Sequence, residues 1–273
     1  MIDAHIHVWT DDQSRYHRLP SSPDCPPRRF TPDHFLQEVI PHGVRRAVLI
    51  QMSFYGSDNS YMLDAIRSHP GVFAGVAQID PVSAELRSKI QSLKIQGVRG
   101  FRIVGIHTAQ SWPDNPAMRQ LWKHAAEESM AICPLINPDA IPVVDRMCEL
   151  YPDTRVVIDH FARVGAAGSI PEAELQALCS VARHQNIFVR LSAFYALGRK
   201  TAPYHDLIPL IRRVFDAFGP SRLMWGSDSP FQVENPHTYS ASISLIRDLD
   251  FATPAEKELL LRGTADSVFF ISC

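Results

Sequence analysis

Short apolar, β-branched runs alternate with amphipathic stretches from one end of the 273-residue chain to the other. Strands are predicted near Ile2–Val8, Arg45–Met52, Val72–Asp80, Val98–Val104, Ala131–Ile136, Arg155–His160, Phe188–Phe194 and Arg222–Gly226, with a 3.6-residue helical period between them. Eight such units average about 34 residues, a normal size for a strand–helix repeat. Strict alternation implies a parallel sheet, and eight repeats imply its closure. The expected fold class is therefore α/β, a single (β/α)8 TIM barrel that takes up residues 1–273 as one domain. An open doubly wound sheet would carry a Gly-rich turn after its first strand. Trp9-Thr10-Asp11-Asp12 stands there instead.

Helix ends are marked locally. Thr31-Pro32-Asp33 reads as an N-cap with Pro at the first helical position, followed by the apolar face Phe35, Leu36, Val39, Ile40 and a stop at Gly43. Leu207, Leu210, Ile211, Val214, Phe215 and Phe218 make a second such face, closed by Gly219-Pro220. Turns into strands are short, as at His42-Gly43-Val44 and Gln96-Gly97. Several connections out of strands are long, at Trp9–Phe30, Gly105–Asn115, Ala196–Tyr204 and Ser229–His237. Elaboration is thus concentrated at the strand C-termini, the face on which barrels build active sites. The long loops after strands 1, 4, 7 and 8 are expected to border one pocket.

Composition narrows the partners. With 27 Lys+Arg against 29 Asp+Glu, the net charge is −2, and no basic block offers nucleic acid a surface. No apolar run reaches the ~18–20 residues that span a bilayer. Met1–His5 lacks the basic and apolar regions of a secretory signal. The five cysteines are odd in number and form no CxxC pair, which fits reduced thiols. These features predict a cytoplasmic protein acting on a small molecule, with no nucleic-acid or membrane partner; a homo-oligomer stays open.

Polar residues at strand C-termini are the chemical candidates. His5 and His7 are two apart in the first strand and project to one side, where they can share a metal or polarise a carbonyl. A pair of core histidines bonded to backbone groups would look the same. Asp228 follows the apolar strand Arg222–Gly226, where a carboxylate is costly unless paired, ligated or catalytic. Asp159 and His160 end the sixth strand; alternation allows only one of them to face the barrel mouth. Arg99, Arg102, Arg163 and Arg190 could clamp a carboxylate, Arg102 and Arg163 foremost because they sit at strand ends. Structural ion pairs account for each arginine equally well. Ser53, Tyr55 and Tyr195 follow strands and are further candidate polar contacts, and His107, beside Trp112, is retained as an outlying histidine.

Six motifs in order resemble one group of proteins. Asp-Ala-His5-Ile-His7-Val-Trp, Gln78-Ile-Asp80-Pro81, Gly97-Val-Arg99-Gly-Phe-Arg102, Ile158-Asp-His160-Phe-Ala-Arg163, Val189-Arg-Leu-Ser192 and Leu223-Met-Trp-Gly-Ser-Asp228-Ser-Pro230 are similar to the amidohydrolase-related family, in the branch of pyrone-dicarboxylate and sugar-lactone hydrolases. Arg262–Phe269 resembles the family's closing helix, with Thr264 where Asn is usual. The resemblance implies a barrel hydrolase that opens a small anionic or polyhydroxylated lactone. In it Asp228 would take a proton from water. His5, His7 and His160 would polarise the carbonyl directly or through a metal, and Arg102, Arg163, Arg190, Tyr55 and Ser53 would contact substrate.

The resemblance also implies what the metal can be. Binuclear relatives need a Lys or Glu after strand 4 and a His after strand 5; here Arg102 and Asn137 occupy those neighbourhoods. At most one divalent ion, zinc or manganese, is expected, on His5, His7 and Asp228, and metal-independent action is equally compatible. Two other functions fit less well. A metal-dependent non-oxidative decarboxylase of an aromatic or unsaturated acid needs a more firmly held ion. A ligand-binding barrel without catalysis has no reason to keep both strand-1 histidines and Asp228.

Overall fold

A computed structural model describes residues 1–20, 27–106 and 108–270. Among the described residues, eight strands form one sheet in sequence order: β1 (Ile2–Ile6), β2 (Arg46–Ile50), β3 (Phe73–Ala77), β4 (Val98–Val104), β5 (Ala131–Leu135), β6 (Arg155–Ile158), β7 (Ile187–Leu191) and β8 (Leu223–Trp225). Every neighbouring pair is parallel. The main crossover helices are α1 (Pro32–Val39), α2 (Ser60–Ser68), α3 (Leu86–Ile95), α4 (Pro116–Glu127), α5 (Ile141–Leu150), α6 (Glu172–Ser180) and α7 (Ile208–Phe218); α8 (Tyr239–Arg247) follows β8. The barrel expected from the alternation is the fold observed.

Local signals account for the helix ends. The Thr31 side chain accepts from the His34 backbone N–H, and His34 returns the bond to Thr31, so histidine fills the place of glutamate in a capping box. On α7, Leu210, Ile211, Val214, Phe215 and Phe218 are all buried, and Gly219 turns the chain with φ 73°. Leu207 is buried as well, but in a 3-10 turn that precedes the helix.

The barrel interior is filled from the strands. Ile2, Ala4, Val48, Ile50, Val76 and Met224 form one inner cluster with Val268 and Phe269 of the closing helix. Residues on the outward face, such as Ile6, Leu49 and Val189, belong to the larger cluster against the helices. Within β1 the alternation slips. Asp3 and Ile6 pair with Ala47 and Leu49, so β1 carries one extra residue. This bulge changes the phase between inward Ala4 and outward Ile6, and it turns His5 and then His7 inward.

The seam between β1 and β8 closes beyond the end of β8. Asp228 N–H donates to His5 O and His7 N–H donates to Ser229 O, each at 2.8 Å. Gly226 permits the approach, since a Cβ there would lie 2.8 Å from the His5 backbone nitrogen and Cβ. Asp3 locks the seam from below. Its Oδ1 accepts from Ser227 N–H at 2.8 Å, and its Oδ2 accepts from the Tyr239 hydroxyl at 2.8 Å.

Candidate active site at the strand C-termini

His5, His7, His160 and Asp228 converge at the mouth of the barrel, all nearly or fully buried. His5 Nε2 lies 3.3 Å from His7 Nε2 and 3.3 Å from Asp228 Oδ1. His7 Nε2 lies 3.1 Å from the same oxygen. His160 Nε2 is 3.9 Å from Asp228 Oδ2, and its Nδ1 pairs with Ser192 Oγ at 2.8 Å.

How His160 reaches this point was not legible as strand alternation. The sixth strand stops at Ile158, two residues earlier than expected. His160, Phe161, Ala162 and Arg163 then take left-handed backbone, with φ of 53°, 54°, 54° and 61°. Non-glycine residues in that region cost roughly 1–2 kcal/mol each, and such strain is concentrated at functional sites. The turn lets Asp159 and His160 both face inward, which corrects the expectation that only one would. Asp228 is likewise left-handed, at φ 67°.

Asp159, beside which only His160 stands out in the sequence, sits beneath His5. Its Oδ1 is 3.4 Å from His5 Nδ1 and is paired with the guanidinium of Arg190. Register explains the pairing: Ile158 lies opposite Val189, so the next residues of each strand meet. Burial pushes the Asp159 carboxyl up, but Arg190, His5 and Arg102 outweigh it and hold it well below the usual range. Arg190 is therefore placed differently from its expected role as a substrate contact. Fully buried and committed to Asp159, it does not line the cavity.

Tautomers follow from these neighbours. Ile50 O can only accept, so His7 Nδ1, 2.8 Å away, carries a proton. The Asp159 carboxylate favours the same tautomer in His5. Burial, the largest influence, keeps the His5 and His160 imidazoles neutral by lowering both pKa values. At Asp228 burial acts upward, but His160, His7 and His5 together outweigh it and hold the carboxyl low. At neutral pH the centre thus carries an ionised carboxylate, with His5 and His160 biased toward the neutral form.

His5 Nε2, His7 Nε2 and Asp228 Oδ1 face one another at 3.1–3.3 Å, an arrangement in which all three can share one positive charge. Their spacing fits a metal: tetrahedral ligands ~2.0–2.1 Å from zinc lie about 3.3–3.4 Å apart. Among the described residues, His5, His7 and Asp228 make up the one group of three or more metal-capable side chains. Arg102 Nη1 lies 3.4 Å from His5 Nε2 and offers a cationic N–H to that nitrogen.

The centre opens into a cavity of about 340 Å³. Arg102, Arg163 and Lys200 bring positive charge to its wall, and Leu135, Leu197 and Phe231 bring apolar surface. Arg163 Nη1 donates to Asn137 Oδ1 at 2.8 Å. Tyr195 lines the cavity too, and its hydroxyl donates to Asp228 Oδ2 at 2.7 Å. Burial, then the Asp228 charge, push the phenol far up, so it stays protonated.

The loops after β6, β7 and β8 supply most of this wall, whereas the end of β1, β4 and β5 contribute only His7, Arg102 and Leu135. The expected border from the long loops after strands 1 and 4 is not found among the described lining residues. Tyr55 and Ser53 also lie outside it. Tyr55 is buried with its hydroxyl accepting from Thr10 N–H, and Ser53 is exposed in a 3-10 turn. Arg99 donates to Lys94 O and Val98 O and belongs to a cavity of about 440 Å³ at the opposite barrel end. That cavity is larger, but its described lining holds no acid, imidazole or thiol. His107 lies outside the described residues.

A (β/α)8 barrel with two histidines from the first strand and an aspartate after the last defines a hydrolase-type centre. The chain belongs to the amidohydrolase family, whose model matches residues 2–271. It is 30% identical over 236 residues to an L-fucono-1,5-lactonase of Burkholderia ambifaria, covering 84% of this chain and 80% of that one. A 2-pyrone-4,6-dicarboxylate hydrolase of Comamonas testosteroni is 26% identical over 243 residues, covering 84% and 76%. An amidohydrolase structure from Burkholderia multivorans with bound zinc superposes with a TM-score of 0.84 over 99% of both chains; at 19% identity this speaks to the fold alone. No described helix is long and apolar enough to cross a membrane.

Proposed function

We propose that residues 1–273 act as one barrel hydrolase domain that opens a small anionic or polyhydroxylated lactone with activated water. The carrying observation is the buried Asp228 among three imidazoles, facing a cavity lined by Arg102, Arg163 and Lys200. The relatives named as lactone hydrolases support the reaction class. Asp228 takes the proton of the attacking water. His160 donates from Nε2 to the carbonyl oxygen as charge develops, with Ser192 holding Nδ1. Arg163 and Lys200 hold a substrate carboxylate, and Arg102 faces the reacting centre. His5, His7 and Asp228 would hold one divalent ion, zinc or manganese, which when bound would polarise the carbonyl and acidify its water. The enzyme acts in the cytoplasm on a small molecule.

The test is a panel of carboxylated and hydroxylated lactones, followed by acid release, with elemental analysis of the same preparation. Ring opening of at least one carboxylated lactone, with no more than one metal equivalent, is expected. Purified protein that opens none of them, with or without added zinc or manganese, would end the lactonase reading. Two equivalents of zinc would show the ligand set to be larger than His5, His7 and Asp228.

A further inference from the structure

Ring opening needs a proton for the departing oxygen as well as a base for water. The Asp228 carboxylate is not free to deliver that proton from both of its oxygens. Oδ1 is enclosed by His5 and His7 at 3.3 and 3.1 Å. Oδ2 is capped by the Tyr195 hydroxyl at 2.7 Å. That hydroxyl belongs to a cavity-lining residue, and its ring is held between Phe231 and His237, with centroids 6.3 and 5.8 Å away. The loop after β7 that carries it is fixed at its start by the left-handed Ala193, φ 56°.

We infer that Tyr195 is the proton relay to the leaving oxygen of the lactone. The inference rests on the lactonase reading and deepens it. In the resting site Tyr195 donates to Asp228. Once Asp228 has taken the water proton on Oδ2, the hydrogen bond must reverse: Oδ2–H donates to Tyr195 Oη, and the phenolic proton is free to turn into the cavity. The tetrahedral intermediate then collapses. The carbonyl re-forms, the bond from carbon to ring oxygen breaks, and its electron pair stays on the ring oxygen. That oxygen takes the Tyr195 proton while Tyr195 takes the proton of Asp228. The products are a hydroxy acid, an ionised Asp228 and a neutral Tyr195, so one water is consumed and no other reactant is required.

A relay differs from a positioning contact in its dependence on the leaving group. An alkoxide needs the proton; an enolate leaves without it. The experiment compares wild-type protein and Tyr195→Phe on two carboxylated six-membered lactones, one saturated and one unsaturated at the ring oxygen. On the saturated lactone kcat should fall about 100-fold, within the range for loss of a general acid, and on the unsaturated one by less than about fivefold. Equal losses on both would make Tyr195 only a support for Asp228, and no loss on either would remove it from the reaction; each overturns the relay. If the variant does not fold, the wild-type rate on the saturated lactone in mixed light and heavy water decides. A curved dependence on deuterium fraction reports two protons in flight and supports the relay; a straight line refutes it. A wild-type protein that opens neither lactone fails the lactonase reading itself, a distinct result.

Discussion

Asp3 and Asp228 sit at the two ends of the same β1–β8 seam, both fully or nearly buried, and their carboxyls behave in opposite ways. Burial is the largest influence on each and acts upward on both. At Asp3 the partners are uncharged donors, the backbone N–H groups of Ser227 and His5 and the Tyr239 hydroxyl. They recover only part of the penalty, and the carboxyl stands at about 6. At Asp228 three imidazoles outweigh burial and the group is held low. The lesson is that depth does not distinguish a carboxyl pushed up from one held ionised. What surrounds it does.

The comparison breaks most visibly at Asp228, the proposed base. Asp228→Asn keeps the volume and a hydrogen-bonding head but removes the basic oxygen. On a lactone of the panel, kcat should fall by a factor of ~10²–10⁴ with the thermal transition retained. A folded variant with near-native turnover would place Asp228 with Asp3, as scaffold.

A third buried carboxylate sharpens the contrast. Asp159 is ionised because Arg190 neutralises it, both at 0% exposure. Arg190→Met should leave an uncompensated charge and lower unfolding free energy by ~3–5 kcal/mol in denaturant titration. A change within 0.5 kcal/mol would mean that Asp159 is protonated and that His5 is not held by a carboxylate.

The structural end is tested by pH. Asp3 has a folded-state pKa of about 6, above the ordinary aspartate value of 3.8. Between those values the folded chain binds more proton than the unfolded one. The contribution is therefore fully present below about pH 4 and is lost as pH rises through 6. Across that window wild-type protein should lose up to ~3 kcal/mol relative to Asp3→Asn, at about 1.4 kcal/mol per pKa unit. A wild-type-minus-variant gap that stays constant from pH 4 to 7 would show Asp3 to be ionised throughout.

The smallest effect lies on the cavity wall. Arg163→Met should raise KM for a carboxylated lactone about tenfold, with kcat and the KM of a neutral lactone nearly unchanged. Equal effects on charged and neutral substrates would assign Arg163 to its bond with Asn137 rather than to substrate.

The chain's own sequence determined the layered architecture and the members of the centre. Alternating periods dictate a parallel barrel because each strand must be covered by the helix that follows it. His5, His7 and Asp228 were legible because polar groups at the ends of apolar strands are costly without a task. What sequence could not carry is direction. His5 and His7 share a side as their spacing predicts, but the left-handed turn that brings His160 in beside Asp159 departs from the strand period on which such a reading depends. Arg190 and Arg163 are one residue type at similar strand ends, yet one is buried against Asp159 and the other lines the cavity. Tertiary structure alone decided between them. A side chain's partner is set by which strands close beside each other and by where the backbone slips its register, and neither is written at the residue itself.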